Sequence, residues 1–218
     1  MARCELGATF DIHGGGLDLV FPHHENEVAQ SVCGNQAHYA KYWMHNGLLT
    51  LQSGGKMSKS DKGSVFRICD AVQAFPGEAI KLYLLQNHYR SPLLWEDDSL
   101  PDALAKLSRL YEAREAGEAM GGEEDADVVA EQLGKDAQKV LELGRAFEAR
   151  YYECMDEDFR CSQALGMTFE LARAINRFAG HKKARRRGGP VVAPALAGLA
   201  LLPQTLGVLG MAVSDFQE

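Results

Sequence analysis

The sequence predicts two halves, an α/β half and then an all-α helical bundle joined to it near residues 92 to 99. Three observations carry that expectation. Up to about residue 95, short apolar runs of strand length alternate with turn residues and one helix-like stretch. From about Leu100, apolar residues recur at three- and four-residue spacing, as one face of successive helices requires. Finally, 218 residues at 46% hydrophobic can bury a sizeable core, as one domain or two.

Charge and cysteine usage narrow the class. A net charge of -7 argues against wholesale wrapping of nucleic acid and leaves room for a local basic patch. Cys4, Cys33, Cys69, Cys154 and Cys161 make an odd number with no CxxC pair, so a reducing cytoplasm is expected rather than a disulfide framework. No basic region followed by an apolar run marks a signal peptide. Val191 to Gly210 is uncharged and follows Lys182, Lys183, Arg185, Arg186 and Arg187. Pro190, Pro194 and Pro203, the polar Gln204 and Thr205, and seven Ala and Gly among its twenty residues make it a buried core helix rather than a membrane span.

Taken in order, Phe10 to His13 and Leu17 to Phe21 read as short extended segments flanking Gly14, Gly15 and Gly16. The glycines permit close approach of chain or ligand. Pro22 suits the first position of a helix that Gly34 would end. On such a helix His23 and Glu27 are four apart and share a face, which is half of a tetrahedral zinc site. Tyr39 to Leu51 reads as a strand leading to a loop at His45-Asn46-Gly47.

Gly54 to Gly63 is glycine-flanked and carries Lys56, Ser58, Lys59, Ser60 and Lys62. Lysine charge and backbone N–H groups suit polyphosphate oxygens, and the same composition also suits a solvated turn. Val65 to Ile68 reads as a short strand, and Asp70 as the cap of a helix that Pro76-Gly77 breaks. Glu78 to Asn87 is a further helix burying Ile80, Leu82, Leu84 and Leu85, and His88 to Pro92 a loop.

The bundle follows. Ser99 is expected to cap a helix burying Leu104, Leu107, Leu110 and Tyr111. Gly121 to Asp127 reads as an acidic loop. A second helix carries Ala137, Val140, Gly144, Phe147 and Tyr151 on one face, and a third carries Leu165, Phe169, Ala172, Ile175 and Phe178. A fourth, over Pro194 to Leu209, is expected to break at Pro203.

Phe10 to Glu27, FDIHGGGLDLVFPHHENE, followed by Lys56-Met57-Ser58-Lys59-Ser60, resembles the cysteinyl-tRNA synthetases, which are class I aminoacyl-tRNA synthetases. Tyr42-Trp43-Met44-His45, His88-Tyr89-Arg90-Ser91 and Met155-Asp156-Glu157-Asp158-Phe159 fall in the same order. The resemblance implies a partial Rossmann-type catalytic domain over residues 1 to 95. It also implies a helical bundle over 96 to 218 like the one that meets the anticodon stem. It implies ATP-dependent activation of cysteine to cysteinyl-adenylate, with magnesium accompanying ATP, and transfer to tRNA.

Within that chemistry Lys56 and Lys59 would stabilise charge on leaving pyrophosphate, and Ser58, Ser60 and His45 would lie toward the nucleotide. His13 and Trp43 would lie beside the substrate. His23 and Glu27 would supply two of four zinc ligands, the other two being cysteines that this sequence lacks. Zinc would take substrate cysteine as thiolate and so discriminate against serine.

Asp156, Glu157 and Asp158 also read as an acidic helix start, and His181 to Arg187 as either an RNA contact or a solvated loop. A fragment inactive alone is expected, acting in the cytoplasm with no membrane partner, and a separate N-terminal half is a candidate partner. Competing functions are a cysteine–amino-sugar ligase and a non-catalytic tRNA-binding relic.

Overall fold

The computed structural model describes residues 2–51 and 67–217. The Gly54 to Gly63 loop, with Lys56, Ser58, Lys59 and Ser60, and the expected strand residues Val65 and Phe66 lie outside the described residues. The chain divides into two compact units: Met1–Val65 with Tyr89–Glu96, and Phe66–His88 with Asp97–Glu218.

The first unit is α/β. After a short helix α1 (Ala2–Leu6), strand β1 (Phe10–Gly16) runs parallel to β2 (Ala40–Asn46), with helix α2 (Glu25–Asn35) in the crossover. The register sets His13 beside Trp43 and Gly15 beside His45. A second parallel pair joins β3 (Leu49–Leu51) to β4 (Leu93–Trp95). Parallel pairing needs such long connections, since a tight hairpin cannot reverse the chain twice.

Local details differ from expectation. The three glycines belong to β1 rather than separating two strands, and Leu17–Leu19 is a 3-10 turn. Val20–His24 forms a wide turn in which Phe21 keeps extended angles, so regular α2 starts at Glu25 and not at Pro22. It ends at Asn35, where Gln36 rather than Gly34 takes the left-handed conformation (φ 52°).

The second unit is helical. Helices α3 (Ile68–Ala74) and α4 (Gly77–Leu85) lead to α5 (Ser99–Glu118), α6 (Ala126–Leu133), α7 (Lys135–Asp156) and α8 (Cys161–Ala179). Four shorter helices complete it: α9 (Ala184–Arg187), α10 (Gly189–Leu199), α11 (Leu201–Thr205) and α12 (Val213–Gln217). Ile68 opens α3 instead of ending a strand, and Asp70 sits inside the first turn, bound by the Arg67 guanidinium, instead of capping it. Asp98 is the cap residue of α5, and Ser99 its first residue. The acidic loop ends early because the Asp125 carboxylate caps α6, a helix the sequence pattern did not suggest.

The expected buried faces hold for α5, α7 and α8: Leu107, Leu110, Val140, Tyr151, Leu165, Ile175 and Phe178 are almost fully enclosed. Leu84 of α4 is exposed instead of buried. Small residues explain α10. A Cβ added to Gly144 would fall 2.6 Å from the backbone nitrogen of Ala195, and one on Gly198 would strike the Phe147 ring. The backbones of α7 and α10 therefore approach closely, which accounts for the Gly and Ala content. Pro194 and Pro203 both lie inside helical turns, and the break falls at Ala200 rather than at Pro203. Among the described residues no helix is long and apolar enough to cross a membrane.

Candidate functional site

The candidate site lies on one face of the β1–β2 pair. Side chains alternate across a strand, so His13 and Gly15 of β1 share a face with Trp43 and His45 of β2. The turn before α2 lays His24 over that face. The ring centroids of His13 and Trp43 lie 4.7 Å apart, those of His13 and His24 5.2 Å, and those of His24 and His45 5.2 Å. Trp43 stacks on His45 at an interplanar angle of 15°.

Gly15 is what lets the turn come so near. A Cβ there would fall 2.7 Å from His24 Nε2. His24 is 4% exposed, and its Nδ1 lies 3.2 Å from His45 Nε2, within hydrogen-bond distance. Burial, reinforced by the neighbouring rings of His13 and His45, lowers the His24 pKa, which keeps the imidazole neutral near pH 7. Burial, and then the Glu27 charge, raises that of the Tyr39 phenol.

Glu27 closes the site from the first turn of α2. Its Oε1 is 3.5 Å from His23 Nε2, the i,i+4 contact expected from spacing, and its Oε2 is 2.9 Å from His13 Nε2. The second contact lacks hydrogen-bond geometry, so Glu27 Oε2 is buried without a hydrogen-bond partner. His23 itself is largely solvent-facing, its side chain 60% exposed.

The structure therefore gathers His13, Trp43, His45 and Glu27 and leaves His23 at the rim. His24, to which the sequence assigned no role, is the most enclosed member. The only sequence signal for it was the triple glycine opposite, which implied that something approaches closely.

His13, His24 and Glu27 each offer a ligand atom within 4.8 Å of the others. No cysteine joins that group among the described residues, and Cys4 and Cys33 are exposed. A zinc held by two thiolates with His23 and Glu27 does not fit the described residues.

Farther along the chain, Asp156 is the last residue of α7, and Asp158 and Phe159 follow with positive φ (55° and 52°), so this acidic run is a helix end and not a helix start. Asp158 O lies 2.9 Å from His88 Nε2. In the basic run, Arg187 is held by Glu124 and Gln132. A cleft of about 300 Å³ between α5 and α8 is lined by Lys106, Arg109, Phe169, Arg173 and Asn176, with no carboxylate in its lining.

Comparison with known proteins places these features in context. A family profile for the class I (C) tRNA synthetase catalytic domain matches residues 1–105, and one for the DALR domain matches 150–213. The chain is 40% identical to a cysteine–tRNA ligase of Fusobacterium nucleatum over 95% of this chain and 42% of that protein. It is also 40% identical to one of Geobacter metallireducens, over 100% of this chain and 44% of that protein. The chain thus spans less than half the length of these curated relatives.

Among solved structures, Mycobacterium tuberculosis methionyl-tRNA synthetase bound by methionyl-adenylate matches with a TM-score of 0.66 at 14% identity, over 95% of this chain and 43% of that one. The Agrobacterium radiobacter LeuRS–tRNA–LeuAMS complex matches with 0.65 at 18% identity, over 94% and 27%. At such identities the likeness is one of fold.

Proposed function

Since the chain belongs to the class I tRNA synthetases of the cysteine type, we propose that it supplies part of a cysteine–tRNA ligase. The observation that carries this reading is the single strand face assembling His13, Trp43 and His45 beneath His24 and Glu27. Sequence similarity to curated cysteine–tRNA ligases supports cysteine as the substrate of that face. In this reading residues 1–95 are the later half of the catalytic domain and 96–218 the bundle that follows it.

The chemistry then divides among groups of this chain. The cysteine carboxylate attacks the α-phosphate of ATP in line, an adenylate forms, and pyrophosphate leaves; magnesium accompanying ATP would offset phosphate charge. Lys59 and Lys56 stabilise the growing charge on pyrophosphate, and Ser58 and Ser60 bind its oxygens, which is electrostatic positioning rather than proton transfer. His45 lies toward the nucleotide, while His13 and Trp43 line the amino-acid side and keep water from the adenylate. The adenylate is then attacked by a hydroxyl of the terminal ribose of tRNA, releasing AMP. His23 and Glu27 are the donors that the family resemblance gives to zinc, and that assignment needs two thiolates from outside the described residues.

The α5–α8 cleft supports an RNA-facing bundle. Arg109 and Arg173 have no ion pair among the described residues, so their charges are free for phosphate oxygens. The DALR match over 150–213 favours tRNA over an amino sugar as acceptor. The reaction takes place in the cytoplasm, in company with the portion of the catalytic domain that the relatives have and this chain does not span.

The test is cysteine-dependent ATP–pyrophosphate exchange by this chain, alone and supplemented with that portion as a separate polypeptide. Exchange is expected only in the mixture and only with cysteine, falling by about 100-fold or more on Lys59→Ala. A mixture that activates no amino acid, or that cysteinylates an amino sugar and not tRNA, would overturn the reading.

A further inference from the structure

We propose that residues 207–217 form a strap that α4 and α5 hold by its main chain, and that the strap opens as one piece while the helices beneath it stay folded. It belongs wholly to the helical unit, and its opening does not depend on whether the protein ligates tRNA.

The strap's main-chain groups find their partners on side chains. Over residues 207–211, among the described residues, one N–H donates to a main-chain carbonyl, that of Val208 to Leu202 at 3.5 Å. Side chains of α4 and α5 take six other groups. Glu78 of α4 accepts the Leu209 N–H on Oε2 (3.0 Å) and the Gly210 N–H on Oε1 (2.7 Å). Tyr111 of α5 donates its hydroxyl to Glu78 Oε2 (2.7 Å) and accepts the Met211 N–H (3.0 Å). Arg114, one turn farther along α5, donates to the carbonyls of Leu209 (3.0 Å) and Met211 (2.7 Å), and Lys81 donates to that of Gly207 (3.2 Å). A segment with no ladder of its own depends on these side chains for its shape.

The bonds form one network. Glu78 Oε2 serves both Tyr111 and Leu209, and Leu209 is held at its N–H by Glu78 and at its carbonyl by Arg114. Tyr111 is engaged at the ring as well, since Phe216 of α12 stacks on it at 4.1 Å and 13° and the Arg114 guanidinium lies 5.0 Å from its centroid. Breaking one bond alone would leave half-buried partners unpaired, which costs more than releasing the whole set to water. The strap therefore has two states, docked and lifted.

Two costs of the docked state favour lifting ahead of global unfolding. Leu209 is held at φ 67°, a left-handed conformation that a leucine keeps only where its surroundings over-determine it. Arg114 Nε is buried with no hydrogen-bond partner, and water reaches it once the strap is off. Burial of Val208 (0% exposed) and Leu209 (2%) closes the strap again. The packing among α5, α7, α8 and α10 does not require it.

The test is hydrogen exchange of the native full chain, read at single amides over a range of low denaturant concentrations. Leu209, Gly210 and Met211 are expected to exchange through one common opening. Its denaturant dependence should be under about half that of Val140 and Phe147 in α7, which exchange on unfolding of the bundle. This readout uses the unaltered chain, so a variant that fails to fold does not remove the test.

Variants then separate a concerted strap from independent bonds. Arg114→Met touches only strap carbonyls, yet it should raise the opening constant about tenfold at all three amides. Tyr111→Phe removes the acceptor of Met211, and it should raise the opening constant of Gly210, whose N–H goes to Glu78, by the same factor of about five to ten. Three different openings in the unaltered chain, exchange of these amides only with those of α7, or a Tyr111→Phe effect confined to Met211 would each overturn the proposal. So would unchanged amides in Arg114→Met.

Discussion

The α/β unit and the helical unit solve burial differently. In the helical unit, α5, α7, α8 and α10 enclose one another, and Leu107, Leu110, Val140, Ile175 and Phe178 are fully buried. In the α/β unit, the β1–β2 pair has one face occupied by the aromatic and histidine cluster, while Ile12 (57% exposed) and Tyr42 (68%) face solvent from the other. Phe21 and Leu17 are exposed as well. Parallel sheets are ordinarily covered on both faces. The helical unit therefore draws its stability from apolar packing, and the α/β unit holds together largely around polar rings.

Deleting apolar atoms in each unit tests that contrast. Leu107→Ala is expected to cost about 2–5 kcal/mol in chemical denaturation, since it removes buried methyls and leaves a cavity. A cost under about 1 kcal/mol there would break the comparison. Gly144→Ala should cost about 1–3 kcal/mol by forcing α7 away from α10, where the added carbon meets the Ala195 backbone. A thermal shift of the full chain reads both.

Next in size is Tyr111→Phe. The phenol donates to Glu78 Oε2 and accepts from the Met211 backbone N–H, and Glu78 also accepts from the Leu209 and Gly210 N–H groups. Losing the hydroxyl should cost about 1–2 kcal/mol, since it leaves partners unsatisfied. Burial, and then the hydrogen bond to Glu78, raises the Tyr111 pKa. A group whose folded pKa is raised stabilises the fold fully below its unfolded value and loses that contribution as pH climbs toward the folded one. Stability of the helical unit should thus fall above about pH 10, and Tyr111→Phe should flatten part of that fall.

The smallest effect sharpens the contrast from the other side. Ile12→Ala should change stability by less than about 0.5 kcal/mol, because the side chain is already in water. A larger loss, measured by hydrogen exchange in β1, would show that this face packs against something.

Legibility in the sequence followed the range of the interactions. The helical faces of α5, α7 and α8 were legible because periodicity records which side turns inward, and the i,i+4 contact of His23 with Glu27 followed from one helical turn. The Asp125 cap of α6 was within reach of the sequence and went unread inside an acidic run. Gln36 ends α2 although Gly34 is the better left-handed residue, and the start at Glu25 depends on the extended angles of Phe21. Such boundaries respond to packing that local preference does not encode.

What the sequence alone determined, then, is the order of elements, the faces that the long helices bury, and the resemblance carried by Phe10 to Glu27. The tertiary structure alone decided which histidine is enclosed. The contact of His23 with Glu27 is local to one turn of chain where it enters α2, whereas the burial of His24 depends on Gly15 and His45, which reach it from two strands. The character of Val191 to Gly210 was settled in the same way. Its glycines and alanines are read correctly only once α7 lies against them, because close backbone approach is a property of two segments and not of one.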